Sequence, residues 1–279
     1  MNIVLISCTH RGLYLSRTLL SSILYNKKSR ELLNITVIGD QITRHGLKIC
    51  TENISRSDIN INLLDLESVS LYDTDTVQLD KGGKSRYKCA YVKLELAFIL
   101  MQYNHSIVLD VDTVFLEDVS VFWNDFRGYL PADLIDKATI YIARASESST
   151  FQGWDIKKKH WIPPSRLNTG VLFLNLFKLR ELNLTLANFL ALNDEPAGLA
   201  DNDILETWAY YNINRFGILP CKWNKILGSE CPDHGKSNGI IHGPNGHFEK
   251  PRFRHLPNNI QNIINFYENQ SHILCPLNS

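Results

Sequence analysis

The chain has 279 residues, 44% of them hydrophobic and 10% aromatic, which is enough apolar surface for a substantial core and unlike a disordered segment. Its 29 basic residues balance 29 acidic ones, so the overall charge names neither a nucleic acid nor a membrane surface as partner. No stretch approaches the ~20 consecutive apolar residues of a membrane helix, because Leu96 to Leu109 is broken by Gln102, Asn104 and His105. The opening residues run from Ile6 into Ser7, Cys8, Thr9 and His10 and do not read as an export signal.

Ile3 to Ile6 is a compact apolar run that opens into a polar loop, the pattern of a buried strand. Leu15, Leu19 and Ile23, with Leu20 and Leu24 beside them, place one apolar stripe on a helix of about three turns. Ile35 to Ile38 reads as the second strand, and the alternation of Ile59, Ile61 and Leu63 with Asn60 and Asn62 as a third with one polar face. Tyr91 to Met101 has helical spacing, and Ser106 to Leu109 is another apolar run ending at Asp110. Strands alternating with helices predict an α/β fold with a mostly parallel sheet, which places ligands at the carboxyl ends of its strands. In the second half, strands are predicted at Thr139 to Ala143, Gly170 to Leu174, Gly217 to Leu219 and Gly239 to Ile241. Helices are predicted near Leu182 to Leu192, Asp201 to Tyr211 and Pro257 to Tyr267. No repeat, low-complexity tract or linker divides the halves, so one domain is expected.

Six cysteines are too few for a disulfide scaffold, and none has zinc-site spacing. Cys221 and Cys231 flank a loop-like stretch, where a bridge and two separate thiols are equally compatible with the spacing. Five Asn-x-Ser/Thr triplets begin at Asn34, Asn53, Asn104, Asn183 and Asn269 and carry little weight in an Asn-rich chain.

Asp-x-Asp occurs at Asp73/Asp75, Asp110/Asp112 and Asp201/Asp203, so the motif alone discriminates nothing. Only Asp110 directly follows an apolar strand, which puts both carboxylates just beyond the sheet edge. Two carboxylates this close repel unless a cation lies between them, and oxygen ligands suit a hard ion such as Mg²⁺ or Mn²⁺. A solvated turn is the plain alternative. The same residues, Asp110-Val111-Asp112-Thr113, also satisfy the Asp-x-Asp-x-Thr pattern of haloacid-dehalogenase-like phosphatases. Three strands precede the motif here, however, and no downstream acidic strand end matches. His242 closes the apolar run Gly239-Ile240-Ile241 and is followed by Gly-Pro-Asn-Gly, a loop able to approach a phosphate closely.

Taken in order, these features resemble glycosyltransferase family 8, whose members are retaining enzymes of GT-A fold, and the resemblance covers nearly the whole chain. Tyr91-x-Lys93-Leu94 is similar to the family's Tyr-x-Arg-Leu, and Ile107 to Asp112, continuing to Phe122-Trp123, to its metal motif and following helix. Leu167-Asn168-Thr169-Gly170-Val171-Leu172 is similar to its Asn-Ser/Ala-Gly-Val strand and Asp201-Asn202-Asp203-Ile204-Leu205 to its Asp-Gln-Asp-Leu-Leu helix start. Leu219-Pro220-x-x-Trp223-Asn224 and His242 with its glycines complete the series. Taken singly, each has a simpler role: a strand cap at Asn168, a helix N-cap at Asp201, a core position at Trp223. Within the family, Pro220 to Asn224, Cys231, His242-Gly243-x-Asn245-Gly246, Pro251-x-Phe253-Arg254, Gly153-Trp154, Cys8 and Cys89 look like the glucoside xylosyltransferases and the xylosyltransferase domain of LARGE.

The resemblance implies a single GT-A-like (Rossmann-like) domain over 1–279, with a nucleotide-binding half at 1–112 and a donor-sugar and acceptor half at 113–279. It implies Asp110, Asp112 and His242 as ligands of Mn²⁺ (or Mg²⁺). It implies a UDP-sugar donor, UDP-xylose before UDP-glucose or UDP-galactose, and a glycan or glycoprotein acceptor. Thr9 and the Val111 backbone would contact the nucleoside, Asn168, Gly170, Asp201 and Asn202 would line the donor sugar, and Gly243 and Gly246 would let the loop close on the diphosphate. Asp201 and Asn202 are the candidate catalytic residues. Lys93 stands where the family has Arg, keeping the charge without the bidentate fork. Asn202 replaces Gln, Glu206 replaces Asn, and Phe248 stands where a Lys is usual, leaving Lys250 as the candidate phosphate ligand. These departures motivate a second reading, a catalytically silent UDP- or glycan-binding protein of the same fold. The resemblance implies the ER or Golgi lumen; since the opening residues do not read as an export signal, the cytoplasm is the alternative.

Overall fold

The computed structural model describes residues 1–7, 12–52, 54, 56–69, 84–129, 138–144, 155–156, 159–160, 167–192, 201–212, 215–227, 239–243, 248 and 252–274. The first half alternates strand and helix: β1 (Asn2–Ser7), α1 (Gly12–Asn26), β2 (Leu33–Gly39), α2 (Gln41–Glu52), β3 (Ile59–Asp65), α3 (Leu66–Val69), α4 (Lys84–Ile99) and β4 (His105–Asp110). There follow β5 (Thr113–Phe115), α5 (Val119–Tyr129), β6 (Ile140–Arg144), β7 (Asp155–Ile156), β8 (Lys159–His160), β9 (Leu167–Asn175), α6 (Leu176–Glu181), α7 (Leu186–Leu190) and α8 (Asp201–Tyr211). The chain continues through β10 (Phe216–Leu219), a 3₁₀ turn (Cys221–Asn224), β11 (Lys225–Ile226), β12 (Ile240–His242), a second 3₁₀ turn (Arg252–His255) and α9 (Asn258–Leu274).

Seven strands form the central sheet in the order β10-β6-β9-β4-β1-β2-β3. All neighbours pair parallel except β9, which runs antiparallel to both β4 and β6. This is the mostly parallel sheet expected, and it draws strands from both sides of residue 112. Parallel strands covered on both faces read as continuous apolar runs, and β1 shows why. Ile3 and Leu5 enter a cluster with Leu19, Leu20 and Ile23 of α1, whereas Val4 and Ile6 enter the opposite cluster with Val92 and Leu96 of α4. The outer strand β3 keeps its two-residue alternation, with Ile59 buried and Asn60 and Asn62 exposed. Trp223 is core, its ring 4.6 Å from that of Phe122, a pairing of about 1 kcal/mol beyond the area it buries.

Two predictions of detail differ. The helix expected near Leu182 to Leu192 forms only over Leu186–Leu190, preceded by α6 ending at Glu181, because Asn183 takes φ 48 and Thr185 restarts the chain as the N-cap of α7, its hydroxyl and the Asn188 side chain forming a reciprocal capping box. The last helix runs on to Leu274, seven residues past the predicted Tyr267. Of the second sheet, β11-β12-β5, only β12 is predicted, as Gly239 to Ile241, because β5 and β11 are three and two residues long, below the length at which periodicity carries a signal. Cys221 is disulfide-bonded, and Cys231, the partner left open by the sequence, lies outside the described residues.

Candidate metal and donor site

The small sheet builds the site. At the end of β4 the Thr113 hydroxyl donates to the Asp110 carbonyl at 2.7 Å, closing a turn that holds Asp110 and Asp112 on either side of Val111. The Val111 side chain is buried in a third apolar cluster with Val114, Ile241 and Phe248. β5 then pairs antiparallel with β12, setting His242 opposite Thr113, and the Gly243 N–H donates to the Asp112 carbonyl at 2.9 Å. One ligand atom from each of Asp110, Asp112 and His242 therefore lies within 4.8 Å of the others. His242 Nε2 is 3.3 Å from Asp112 Oδ1.

β9 supplies the opposite wall. Its pairing with β4 stops at Leu109 and Val171, and its pairing with β6 slips between Ile142 and Ala143 from Leu172 to Asn168. Such an irregularity frees Thr169 and Gly170 from the ladder beside Asp110, as bulges near functional sites do. Gly170 is there because the imidazole lies on it: a Cβ would sit 2.1 Å from His242 Cε1 and 2.5 Å from Nδ1. Gly170→Ala is thus expected to drive the ring off its position and to lower Mn²⁺ affinity at least 10-fold, on the scale of losses from disturbed ligand orientation. Titration of free Mn²⁺ by its paramagnetic resonance signal checks this, and wild-type affinity in the variant would refute it.

The Lys93 ammonium, 5% exposed, lies 2.7 Å from Asp110 Oδ1, 2.6 Å from Asp201 Oδ2 and 3.3 Å from the Thr169 carbonyl, so its three N–H donors meet three acceptors. Burial alone would lower its pKa, but Asp110 and Asp201 outweigh burial and hold it above the usual lysine value. The Asp110 carboxyl is pushed above its ordinary value, first by desolvation; Lys93 and His242 act against this, and Asp112 and Asp201 act with it. Its side chain is still 32% exposed, and that open face is the one a ligand can reach. Three carboxylates against one ammonium leave the cluster a net charge of minus two with His242 neutral.

The start of α8 ties this wall together. Asn202 Oδ1 accepts from both the Thr169 N–H (2.8 Å) and its hydroxyl (2.7 Å), and Glu206 Oε1 accepts from the Leu167 N–H at 2.9 Å. Two of the positions at which the chain departs from the family pattern, Asn202 and Glu206, are therefore each matched to a backbone partner. Asp201 begins the helix as foreseen, yet its carboxylate goes to Lys93.

Asp110, Asp112, His242, Lys93, Asn168, Gly170, Asp201 and Asn202 thus converge on one end of the sheet. Gly243 borders it, and its hydrogen in place of a Cβ admits the Phe248 ring, which a Cβ would meet at 2.6 Å. Phe248 is 4% exposed and fills core rather than facing a ligand. Thr9, Gly246 and Lys250 lie outside the described residues. Asn224 is the residue to which sequence reasoning gave no role. It is 2% exposed, and its side chain joins His242 Nδ1 (2.9 Å) to Asn168 (2.9 Å to Oδ1). The one signal for it was an amide directly after a core tryptophan.

The donor set fits a hard divalent cation: two carboxylates and an imidazole, with a net charge that such an ion would neutralise. Held there, it would supply Lewis-acid stabilisation of a diphosphate leaving group.

Comparison with known proteins supports the same region. Residues 3–242 match the model of glycosyl transferase family 8. Mouse glucoside xylosyltransferase 2 is 27% identical over 199 residues, 60% of this chain and 42% of that protein. Human xylosyl- and glucuronyltransferase LARGE2 is 26% identical over 244 residues, 81% of this chain and 31% of that protein. The chain spans less than half the length of either relative. Among solved structures, apo mouse xyloside xylosyltransferase 1 superposes with a TM-score of 0.65 at 20% identity, covering 88% of this chain and 97% of that one. The galactosyltransferase LgtC, in complex with donor and acceptor sugar analogs, superposes with 0.68 at 13% identity, covering 99% and 97%. The match of most of its length to the family model, on the mostly parallel GT-A-like sheet expected, shows that the chain belongs to glycosyl transferase family 8.

Proposed function

We propose that the protein is a retaining glycosyltransferase that moves a sugar, xylose before glucose or galactose, from a UDP-sugar to a hydroxyl of a glycan or glycoprotein acceptor. A divalent cation, Mn²⁺ or Mg²⁺, is held by Asp110, Asp112 and His242. The observation that carries this reading is the meeting of those three side chains, from two distant stretches of the chain, at the carboxyl end of β4. In this reading residues 1–112 hold the nucleotide, through Thr9 and the Val111 backbone, and 113–279 hold donor sugar and acceptor. Asn168, Gly170, Asp201 and Asn202 line the sugar side, and Gly243, Gly246 and Lys250 the diphosphate side. Lys93 has its three donors engaged by protein, which favours tethering Asp110 to Asp201 over contacting sugar. Asp201 is held by Lys93 and Asn202 by Thr169, so both are better suited to fixing the donor than to attacking it. A front-face path, with the leaving diphosphate taking the acceptor proton, needs no free carboxylate and fits that arrangement.

The phosphatase reading of Asp110 and Asp112 is not favoured, since family membership and the His242 partner both point elsewhere. The silent-binder reading loses its motive where Asn202 and Glu206 each have a matched partner. The xylosyl preference rests on the relatives' activity. Placement in the ER or Golgi lumen rests on the resemblance, with the Cys221 disulfide in agreement. Among the described residues, no helix is long and apolar enough to cross a membrane. Thermal shift across UDP-xylose, UDP-glucose and UDP-galactose with Mn²⁺, followed by UDP release with and without glucosides as acceptors, tests the proposal. UDP-xylose is expected to raise Tm most and to turn over. Binding of UDP without hydrolysis or transfer across the panel would leave the silent binder, and no nucleotide binding at all would refute both.

A further inference from the structure

We infer that Asn224 and Asn168 form a relay that fixes which nitrogen of His242 faces the aspartates, making Asn224 a positioning residue of the metal site. The inference rests on the metal reading above for its consequence but not for its geometry.

The Gly170 backbone N–H can only donate, and it donates to Asn168 Oδ1 at 3.0 Å. That oxygen therefore also accepts from the Asn224 amide Nδ2 at 2.9 Å, and the Asn168 carbonyl takes the same amide at 3.3 Å. With Nδ2 so committed, Asn224 presents Oδ1, an acceptor, to His242 Nδ1 at 2.9 Å. The imidazole proton must then sit on Nδ1. In the neutral ring Nε2 is left with its lone pair, 3.3 Å from Asp112 Oδ1. Two acceptors facing each other at that distance repel unless something positive lies between them. The relay thus creates the demand that a cation satisfies.

The ring cannot escape by turning over. His242 is 2% exposed, Asn224 is 2% exposed, and Gly170 closes one face of the imidazole at distances that leave no room for a methyl group. The Asn168 amide has its orientation assigned by a backbone donor, the Gly170 N–H, and the Asn224 amide has its own assigned by two acceptors of Asn168, one of them a backbone carbonyl, which is seldom available for such side chains. A ligating histidine whose second nitrogen donates to a fixed acceptor is oriented and made more basic, and losing such a partner costs about 10- to 100-fold in metal affinity. The β9 irregularity serves this arrangement, since it frees the stretch that carries Asn168 and Gly170.

The test uses nitrogen-15 NMR of metal-free, histidine-labelled protein at alkaline pH, with the His242 signals assigned by their loss in His242→Gln. Wild type is expected to show a protonated Nδ1 and an unprotonated Nε2. Asn224→Ala is expected to give a mixture of tautomers and to weaken Mn²⁺ binding, measured without nucleotide, by about 10- to 100-fold. Asn168→Ala leaves Asn224 in place but free to turn, and is expected to move both readouts in the same direction by less. A wild-type ring protonated on Nε2 overturns the inference, as does either tautomer pattern or Mn²⁺ affinity unchanged in a folded Asn224→Ala protein. If Asn224→Ala does not fold, the wild-type and Asn168→Ala spectra decide. Wild type with the expected tautomer but no Mn²⁺ uptake would instead refute the metal reading and leave the relay standing.

Discussion

Asp112→Asn is expected to lower sugar transfer on the order of 10³-fold while leaving the metal-free protein at least as stable as wild type. The two aspartates of the motif are not equivalent. Asp110 shares its charge with Lys93 at 2.7 Å, whereas among the described residues the Asp112 carboxylate faces the His242 nitrogen. The amide keeps the shape of the carboxylate and offers N–H groups to Nε2, so with the ring neutral, as at alkaline pH, a repulsive contact becomes a hydrogen bond when no cation is present. The same exchange removes a charged ligand and places a donor where the cation should sit. Lewis-acid stabilisation of a departing diphosphate is worth several kcal/mol, and each 1.36 kcal/mol is tenfold in rate. Chelation of wild type with EDTA should produce a comparable loss that Mn²⁺ reverses. Measured UDP release within a few-fold of wild type in Asp112→Asn would remove the metal from the reaction.

Lys93→Met is expected to destabilise the protein by about 3 kcal/mol, a fall in Tm of roughly 5 °C. Removing the ammonium leaves Asp110, Asp201 and the Thr169 carbonyl facing one another without a donor. Breaking a buried pair in this way typically costs 3–5 kcal/mol, and the lower end applies because the Asp110 side chain is 32% exposed. Lys93 has a raised pKa in the folded state, so its contribution is fully present below the unfolded value of 10.5 and is lost only as pH rises through the higher folded value. The difference between wild type and variant should therefore be flat from neutral pH to about pH 10. Saturating Mn²⁺ should recover part of the loss, since a cation at Asp110 takes over half of the lysine's work. Thermal unfolding with and without Mn²⁺ checks both statements; equal Tm values for the two proteins would show that the cluster is not held by Lys93.

Local composition announced the strands that are buried on both faces, because apolar runs such as Ile3 to Ile6 and Ser106 to Leu109 have no other way to be satisfied. It also announced the helix start at Asp201, where acidic residues favour the first turn. It misjudged the α6 to α7 stretch, where one left-handed asparagine and one threonine cap outweigh helical spacing, and it missed β5, β7, β8 and β11, strands too short to carry a period.

Of the site, the amino-acid sequence by itself determined the ingredients and their order: an acidic pair after an apolar strand, a histidine after another, and the asparagines, glycines and lysine between. Chemistry is local, so residue type fixes what each can donate, accept or ligate. What each one meets is not local. That His242 faces Asp112 depends on β12 pairing with β5 rather than with any other strand, and that Lys93 belongs to Asp110 and Asp201 depends on α4, β4 and α8 sharing one edge of the sheet. Only the tertiary structure decided that Asn224, seemingly a bystander beside a core tryptophan, holds the imidazole, since strand pairing brings it to residues 18 and 56 positions away along the chain.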